Sequence, residues 1–382
     1  MSQARTAALN VELRLLQPGL DIQAQFRVAP GHVCALMGRP GAGKTALLQS
    51  MVGLLQAQGG RINLGSDVLY DPGSRINLPP ERRHIGWVDG EGLLFNHLTV
   101  RGNLQFSWKR CKAPRDGLSP DALTDWLGLR PLLERMPETL SPLQRQKVAL
   151  ARALLASPRA LVLYQPLKDI PAHEQPEMLD LLAELRVRHP MPIVLVPSRL
   201  DDVVRLADEV VLLHEGRVAS AGSVSRILSD VSLATFLDGT DAGFVLEGRV
   251  KQHDIDWLLT DVLIAGQTVT VPAIMAGEGK PVRLKLRARD VNVHLQPQQE
   301  QGVTNELRGR IAQVMLAGEH GSYGAVVVEL MQYVDALDPL PGHPEVVWAL
   351  LTRRSIQQMK LAPGMECHVS FKAMAVTAMA RH

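Results

Sequence analysis

Eight consecutive residues carry the clearest chemistry in this chain: Gly38, Arg39, Pro40, Gly41, Ala42, Gly43, Lys44 and Thr45. They satisfy the pattern GxxxxGK[ST] at every fixed position. Glycines at this spacing let successive backbone N–H groups turn inward around a polyphosphate. Lys44 brings positive charge to the β- and γ-phosphates, and the Thr45 hydroxyl is placed to ligate Mg²⁺. A glycine turn between a strand and a helix is the bland alternative. The setting argues against it, because a buried apolar run precedes the loop and a helical pattern follows, adding its N-terminal dipole.

Other elements must hold this loop in place. Val33-Cys34-Ala35-Leu36-Met37 reads as a buried strand, and a helix is expected from about Thr45 to Leu55. Ile62 to Tyr70 is expected to form a strand pair closed by Asp71-Pro72-Gly73. Residues 118–158 are helical in pattern. Ala160–Leu163, Pro192–Val196 and Val210–Leu213 read as further buried strands, the last ending in a turn at Glu215-Gly216-Arg217. Buried strands alternating with helices imply a parallel sheet covered on both faces. After about residue 235 short alternating strands take over, such as Val282–Leu286 and Cys367–Phe371, and helical periodicity fades. Two domains are therefore expected, 1–235 and a β-rich 236–382.

The 382 residues carry 41 Lys+Arg against 39 Asp+Glu, a formal net charge of +2. A nucleic-acid partner would need a concentrated basic excess, so none is expected. Lys109-Arg110-Cys111-Lys112 reads as a solvated face. Cys34, Cys111 and Cys367 form no CxxC or Cys/His pattern, which fits a reducing compartment. The N-terminus lacks the apolar core of a signal peptide, and no run approaches the ~20 apolar residues of a membrane span. A membrane role would have to come through a partner.

Leu140-Ser141-Pro142-Leu143-Gln144-Arg145-Gln146-Lys147-Val148-Ala149-Leu150-Ala151-Arg152-Ala153-Leu154 resembles the signature helix of the ATP-binding-cassette family, usually LSGGQ followed by RQRVAIARAL. Leu206–Leu213 and Glu215–Val218 resemble the end of the same domain, so the resemblance covers about residues 9–235. Val282–Leu295, Asn305–Ile311 and Leu361–Ala378 look like the molybdate-binding "MOP" domain that follows the cassette in molybdate importers. The resemblance implies an α/β P-loop NTPase cassette, with a mostly parallel sheet and a helical subdomain, followed by a small all-β OB-like MOP domain. It further implies ATP and Mg²⁺ as cofactors and a homodimer. By the same resemblance the dimer docks on integral membrane permease subunits, peripherally at the cytoplasmic face of the inner membrane. Molybdate or a related oxyanion is the implied cargo. Phe95–Leu104 lies where the family touches its permease.

The departures from that pattern are concentrated where hydrolysis is performed. The family's metal strand ends in Asp-Glu, an Asp ordering the Mg²⁺ shell and a Glu polarising water; here those places hold Tyr164 and Gln165. Gly90 stands at the metal-sensing Gln, with Asp89 and Glu91 beside it as possible carboxylate substitutes. Pro171 replaces the Asp of the following loop, and Ser198 replaces the switch His. His173, His189 and His214 read as surface residues, not substitutes for that His. No catalytic residue is retained, and loss of a general base alone removes about 10²–10⁴ in rate. In the signature, Ser141 and Gln144 remain and can form a capping box. Pro142 and Leu143 replace two glycines, and Leu143 is expected to fill the space of the phosphate contact. In the second domain the family's Ser-x-Arg-Asn is Gly302-Val303-Thr304-Asn305, leaving Thr304 and Asn305 as the remaining oxyanion candidates. Two functions stay open: an importer subunit with impaired hydrolysis, and a non-hydrolysing ATP-binding regulator.

Overall fold

A computed structural model describes residues 7–111, 118–236, 242–297, 304–316, 322–333 and 344–380. The chain divides into two compact units, Met1–Gly222 and Ser223–His382.

The strands of the first unit are β1 (Leu9–Gln17), β2 (Leu20–Val28), β3 (Val33–Met37), β4 (Gly59–Leu64), β5 (Asp67–Asp71), β6 (Ile76–Asn77), β7 (Ile85–Asp89), β8 (Ala160–Tyr164), β9 (Ile193–Val196), β10 (Glu209–His214) and β11 (Arg217–Ser223). They form one 11-stranded sheet in the order β6-β5-β4-β1-β2-β11-β10-β3-β9-β8-β7. From β10 to β7 the pairings are parallel. Strands β8 and β9 are apolar and almost wholly buried, as a sheet covered on both faces requires. The other arm is antiparallel from β2 through β1 to β6. There β1 alternates, with Leu9, Val11, Leu13 and Leu15 inward and polar side chains between them, because only one face is covered. The pair expected at 62–70 is present as β4 and β5, but its turn is Gly65-Ser66; Pro72-Gly73 instead joins β5 to β6.

Among the described residues, six α-helices accompany this sheet: α1 (Lys44–Val52), α2 (Val100–Trp108), α3 (Pro120–Trp126), α4 (Pro142–Leu155), α5 (Gln175–Arg188) and α6 (Leu200–Leu206). Helix α1 stops at Gly53, whose φ of 88° closes the last turn through N–H bonds to Gln49 and Ser50. The buried Arg83 guanidinium fills the space beside it. It donates to the carbonyls of Ser50 (2.6 Å), Met51 (3.0 Å) and Leu78 (2.8 Å) and to Asn77 Oδ1 (2.8 Å). A side chain at residue 53 would meet Arg83 Nε at 2.7 Å, so glycine is required twice over. Cys34 is buried in β3, and burial pushes its thiol up to about 12, leaving it inert.

The second unit opens with α7 (Val224–Leu228), capped by Ser223. Its strands are β12 (Gly243–Asp254), β13 (Leu259–Ile264), β14 (Gln267–Pro272), β15 (Pro281–Arg287), β16 (Asn292–His294), β17 (Thr304–Leu316), β18 (Tyr323–Leu330), β19 (Val346–Thr352), β20 (Glu366–Lys372) and β21 (Thr377–Ala380), with α8 (Arg353–Gln358) between β19 and β20. They make two five-stranded antiparallel sheets, β14-β13-β12-β15-β21 and β16-β20-β17-β18-β19. Inward residues of both sheets, among them Phe244, Leu284, Trp348 and Phe371, share one apolar core, giving an OB-like β domain. The division lies ahead of residue 235 because the turn after α7 is tied to β12: Ser229 Oγ accepts from Val245 N–H (3.1 Å) and donates to its carbonyl (3.2 Å). No helix among the described residues is long and apolar enough to cross a membrane.

Candidate functional site

Strand β3 delivers the chain to Gly38, and α1 carries it away after Gly43. Gly38 has φ 144°, and any Cβ there would lie 2.2 Å from the Leu213 carbonyl oxygen on β10. Gly43 has φ 100° and packs so closely that a Cβ would meet Ile22 Cδ1 at 2.7 Å. Gly41 faces open space; its φ of 83° alone calls for glycine. The Lys44 ammonium folds across the loop and donates to the carbonyls of Gly38 (2.6 Å) and Arg39 (3.0 Å). Burial holds its pKa below the ordinary lysine value. The first N–H groups of α1 have no acceptor within the helix. A helix N-terminus with a lysine ammonium beside it suits an anionic group such as a polyphosphate.

The end of β8 differs from a metal strand. Thr45 Oγ1 donates to the Tyr164 hydroxyl at 3.2 Å. The Tyr164 ring stacks on Trp87 of β7, with centroids 6.0 Å apart and planes 14° from parallel. Gln165 follows with φ 47°, and its N–H donates to the Val196 carbonyl at 2.8 Å. Gly90 sits directly against this backbone, where a Cβ would lie 2.2 Å from the Gln165 carbonyl oxygen. Gly90→Ala is therefore expected to lower the stability of this unit by about 1–3 kcal/mol. The denaturant midpoint of the variant measures this, and an unshifted midpoint would mean that the two backbones separate freely.

The alternative carboxylates have partners of their own. Asp89 Oδ1 accepts from the Glu91 N–H at 3.0 Å, Glu91 lies 3.6 Å from Lys168, and Asp169 is exposed. Ser198 is exposed on its loop, and its N–H donates to Asp202 Oδ2 (3.2 Å), as does that of Arg199 (3.0 Å). Burial raises the Asp202 pKa against the lowering by these two bonds. Among the described residues no three of His, Cys, Asp or Glu converge as a metal site.

At the head of α4 the capping box is formed: Gln144 N–H donates to Ser141 Oγ (3.3 Å) and Ser141 N–H to Gln144 Oε1 (3.1 Å). Leu143 departs from expectation. Its side chain is buried within the chain and does not occupy the exposed helix end, because it heads the buried stripe Leu143, Gln146, Leu150, Leu154, apolar but for Gln146. Pro142 alone stays exposed there.

The stretch Phe95–Leu104, expected from the resemblance to face a permease, is held by a hydrogen-bond cluster that the sequence did not disclose. Asn103, fully buried in α2, accepts from Phe95 N–H (2.9 Å) and donates to the carbonyls of Phe95, Leu98 and Thr99 (each 3.1 Å). Arg152 of α4 donates to the Leu93 carbonyl (2.6 Å) and lies 4.9 Å from the Phe95 ring centroid. The loop 93–99 is thus fixed from beneath, with Leu93 presented to solvent. The available signal was an asparagine inside a helical pattern, where it is unfavourable unless its amide is used.

In the second unit the Asn305 amide is committed to the backbone of Thr270, accepting from its N–H (2.7 Å) and donating to its carbonyl (2.8 Å). Gly302 and Val303 and the Thr304 side chain lie outside the described residues.

Residues 22–168 match the ABC transporter family. Over nearly its whole length the chain is similar to the molybdenum import ATP-binding protein ModC of Rhodospirillum rubrum, with 36% identity over 368 residues, 96% of this chain and 97% of the relative. Molybdenum import ATP-binding protein ModC 1 of Azotobacter vinelandii is 36% identical over 372 residues, 94% of this chain and 99% of the relative. A solved ATP binding subunit of an ABC transporter superposes with a TM-score of 0.50 at 23% identity, covering 58% of this chain and 92% of that one, a likeness of fold.

Proposed function

Because the chain belongs to the ABC-transporter family of molybdenum import ATP-binding proteins, we propose that it is the ATP-binding subunit of a molybdate or related oxyanion importer whose hydrolytic step is impaired. The observation carrying this reading is the contrast within one site. The cradle from Gly38 to Thr45 keeps its backbone and its lysine, while the adjoining strand end carries Tyr164 and Gln165 in place of two carboxylates. An amide accepts no proton from water, and a neutral phenol brings no charge to a metal. The chain would work as a homodimer, docked on permease subunits through the loop held by Asn103, at the cytoplasmic face of the membrane. Its β domain is better suited to a structural or dimerising role than to holding an oxyanion, since Asn305 is occupied and no arginine stands beside it in sequence.

Calorimetric titration with ATP tests the binding half of this reading. Lys44→Ala removes the charged donor and is expected to weaken ATP by about 10–100-fold. Equal affinity in the two proteins would sink the assignment of the nucleotide to this loop. The same strand end also supports a second reading, a non-hydrolysing regulator that binds ATP and acts by conformation. Co-purification with the permease separates the two: capture supports the importer subunit, and failure of capture supports the regulator.

A further inference from the structure

We propose that this chain binds ATP without Mg²⁺, the Tyr164 hydroxyl engaging the Thr45 side chain that a metal ion would need. The inference rests on the reading of Gly38–Thr45 as the ATP site. Mg²⁺ requires near-octahedral oxygen ligands at about 2.0–2.1 Å, ordinarily one or two carboxylates together with phosphates and water. The residues at this place do not fit that demand. Thr45 Oγ1 is hydrogen-bonded to Tyr164 at 3.2 Å, and the stack on Trp87 at 6.0 Å keeps the phenol in position. A phenol at neutral pH carries no negative charge to offset the dehydration of the ion.

Neighbouring elements do not repair the deficit. Gly90 has no side chain, and a Cβ there would lie 2.2 Å from the Gln165 carbonyl oxygen and 3.2 Å from that of Tyr164. The backbone at residue 90 thus lies directly against the backbone at the end of β8, leaving no room there for a side chain that could ligate a metal. Asp89 stands opposite Tyr164 in the β7–β8 register, but its carboxylate caps the Glu91 N–H, and Glu91 pairs with Lys168.

The phosphate charge must then be met by the protein alone. Lys44 supplies one cation and the N-terminus of α1 a partial one. Arg39, exposed between Gly38 and Pro40, puts a second cation within the loop itself. A guanidinium forms paired N–H bonds to phosphate oxygens and needs no metal to do so.

The test is ATP affinity of the full chain measured by calorimetry in excess Mg²⁺ and again in EDTA. The expected dissociation constants agree within about twofold, and Arg39→Ala weakens binding in EDTA by about tenfold or more. Tyr164→Asp, which restores a carboxylate, is expected to make ATP bind at least about tenfold more tightly with Mg²⁺ than without it. Binding by the unaltered chain that tightens tenfold or more with Mg²⁺ overturns the inference and leaves the ATP assignment standing. No ATP binding under either condition overturns both. The decisive comparison uses the unaltered chain, so the folding of either variant does not limit it.

Discussion

Steady-state ATP turnover by the purified chain is expected to be indistinguishable from that of its Lys44→Ala variant. The physical reason, on the proposed reading, is an amide at the reacting end of the site where a base would be needed. Gln165 occupies the place of that base, and its backbone is pinned by the bond from its N–H to Val196 and held at φ 47°. An amide there forgoes the about 10²–10⁴ in rate that a positioned general base contributes. Ser198 adds a second loss: its hydroxyl has no proton affinity comparable to an imidazole, and its loop is organised around the buried Asp202 carboxylate instead. Hydrolysis above background that disappears in Lys44→Ala would show another carboxylate at work. Glu91→Gln, Asp89→Asn and Asp169→Asn would then identify it, since those three side chains are the nearest in sequence to the altered positions. On the proposed dimer, a partner cassette would not cure the site built on this strand end, because that site takes only its signature from the partner.

Asn103→Leu is expected to have the largest effect on stability, a loss of about 2–4 kcal/mol. The substitution keeps the volume and removes every polar function of the amide. It leaves the Phe95 N–H and the Leu98 carbonyl without their partner in a part-buried place, while the Phe95 and Thr99 carbonyls keep backbone bonds, and each unsatisfied group costs about 1–3 kcal/mol less whatever relaxation recovers. The consequence should be local as well as global. Loop 93–99 is held by this side chain together with Arg152, so amide exchange at those residues should accelerate more than in β8 or β9, whose ladders do not involve Asn103. Capture by the permease should fall with it. Unchanged exchange in 93–99, measured on the folded variant, would remove Asn103 from the docking role.

The parts of the fold that depend on rigid spacing were readable from the sequence. The phosphate loop is one, because three positive-φ glycines and a lysine leave little freedom of conformation. The Ser141–Gln144 box is another, since it is purely local. Contacts set by register were not readable. Trp87 and Tyr164 lie far apart in sequence, and only the β7–β8 pairing brings their rings together. Leu143 was misplaced because its neighbourhood to the family's phosphate contact outweighed the helical period, which is what turns the side chain inward. The β4–β5 turn was missed for a similar reason: Asp-Pro-Gly is a stronger turn signal than Gly-Ser, and both occur within a few residues. At the site itself, the sequence shows which residue types stand at the family's positions but not that Gly90 and Gln165 touch.

That contact has a bearing on how this chain could change over generations. With the Gln165 carbonyl 2.2 Å from any Cβ at residue 90, a glutamine reintroduced at 90 meets backbone before it can reach a ligand. The left-handed backbone at 165 would have to revert first, and a lone change there returns no activity while Tyr164 still occupies the strand end. On the reading proposed above, a gain of hydrolysis would have to pass through intermediates that are neutral at best, in a restricted order, because the contact between residues 90 and 165 obstructs the single steps.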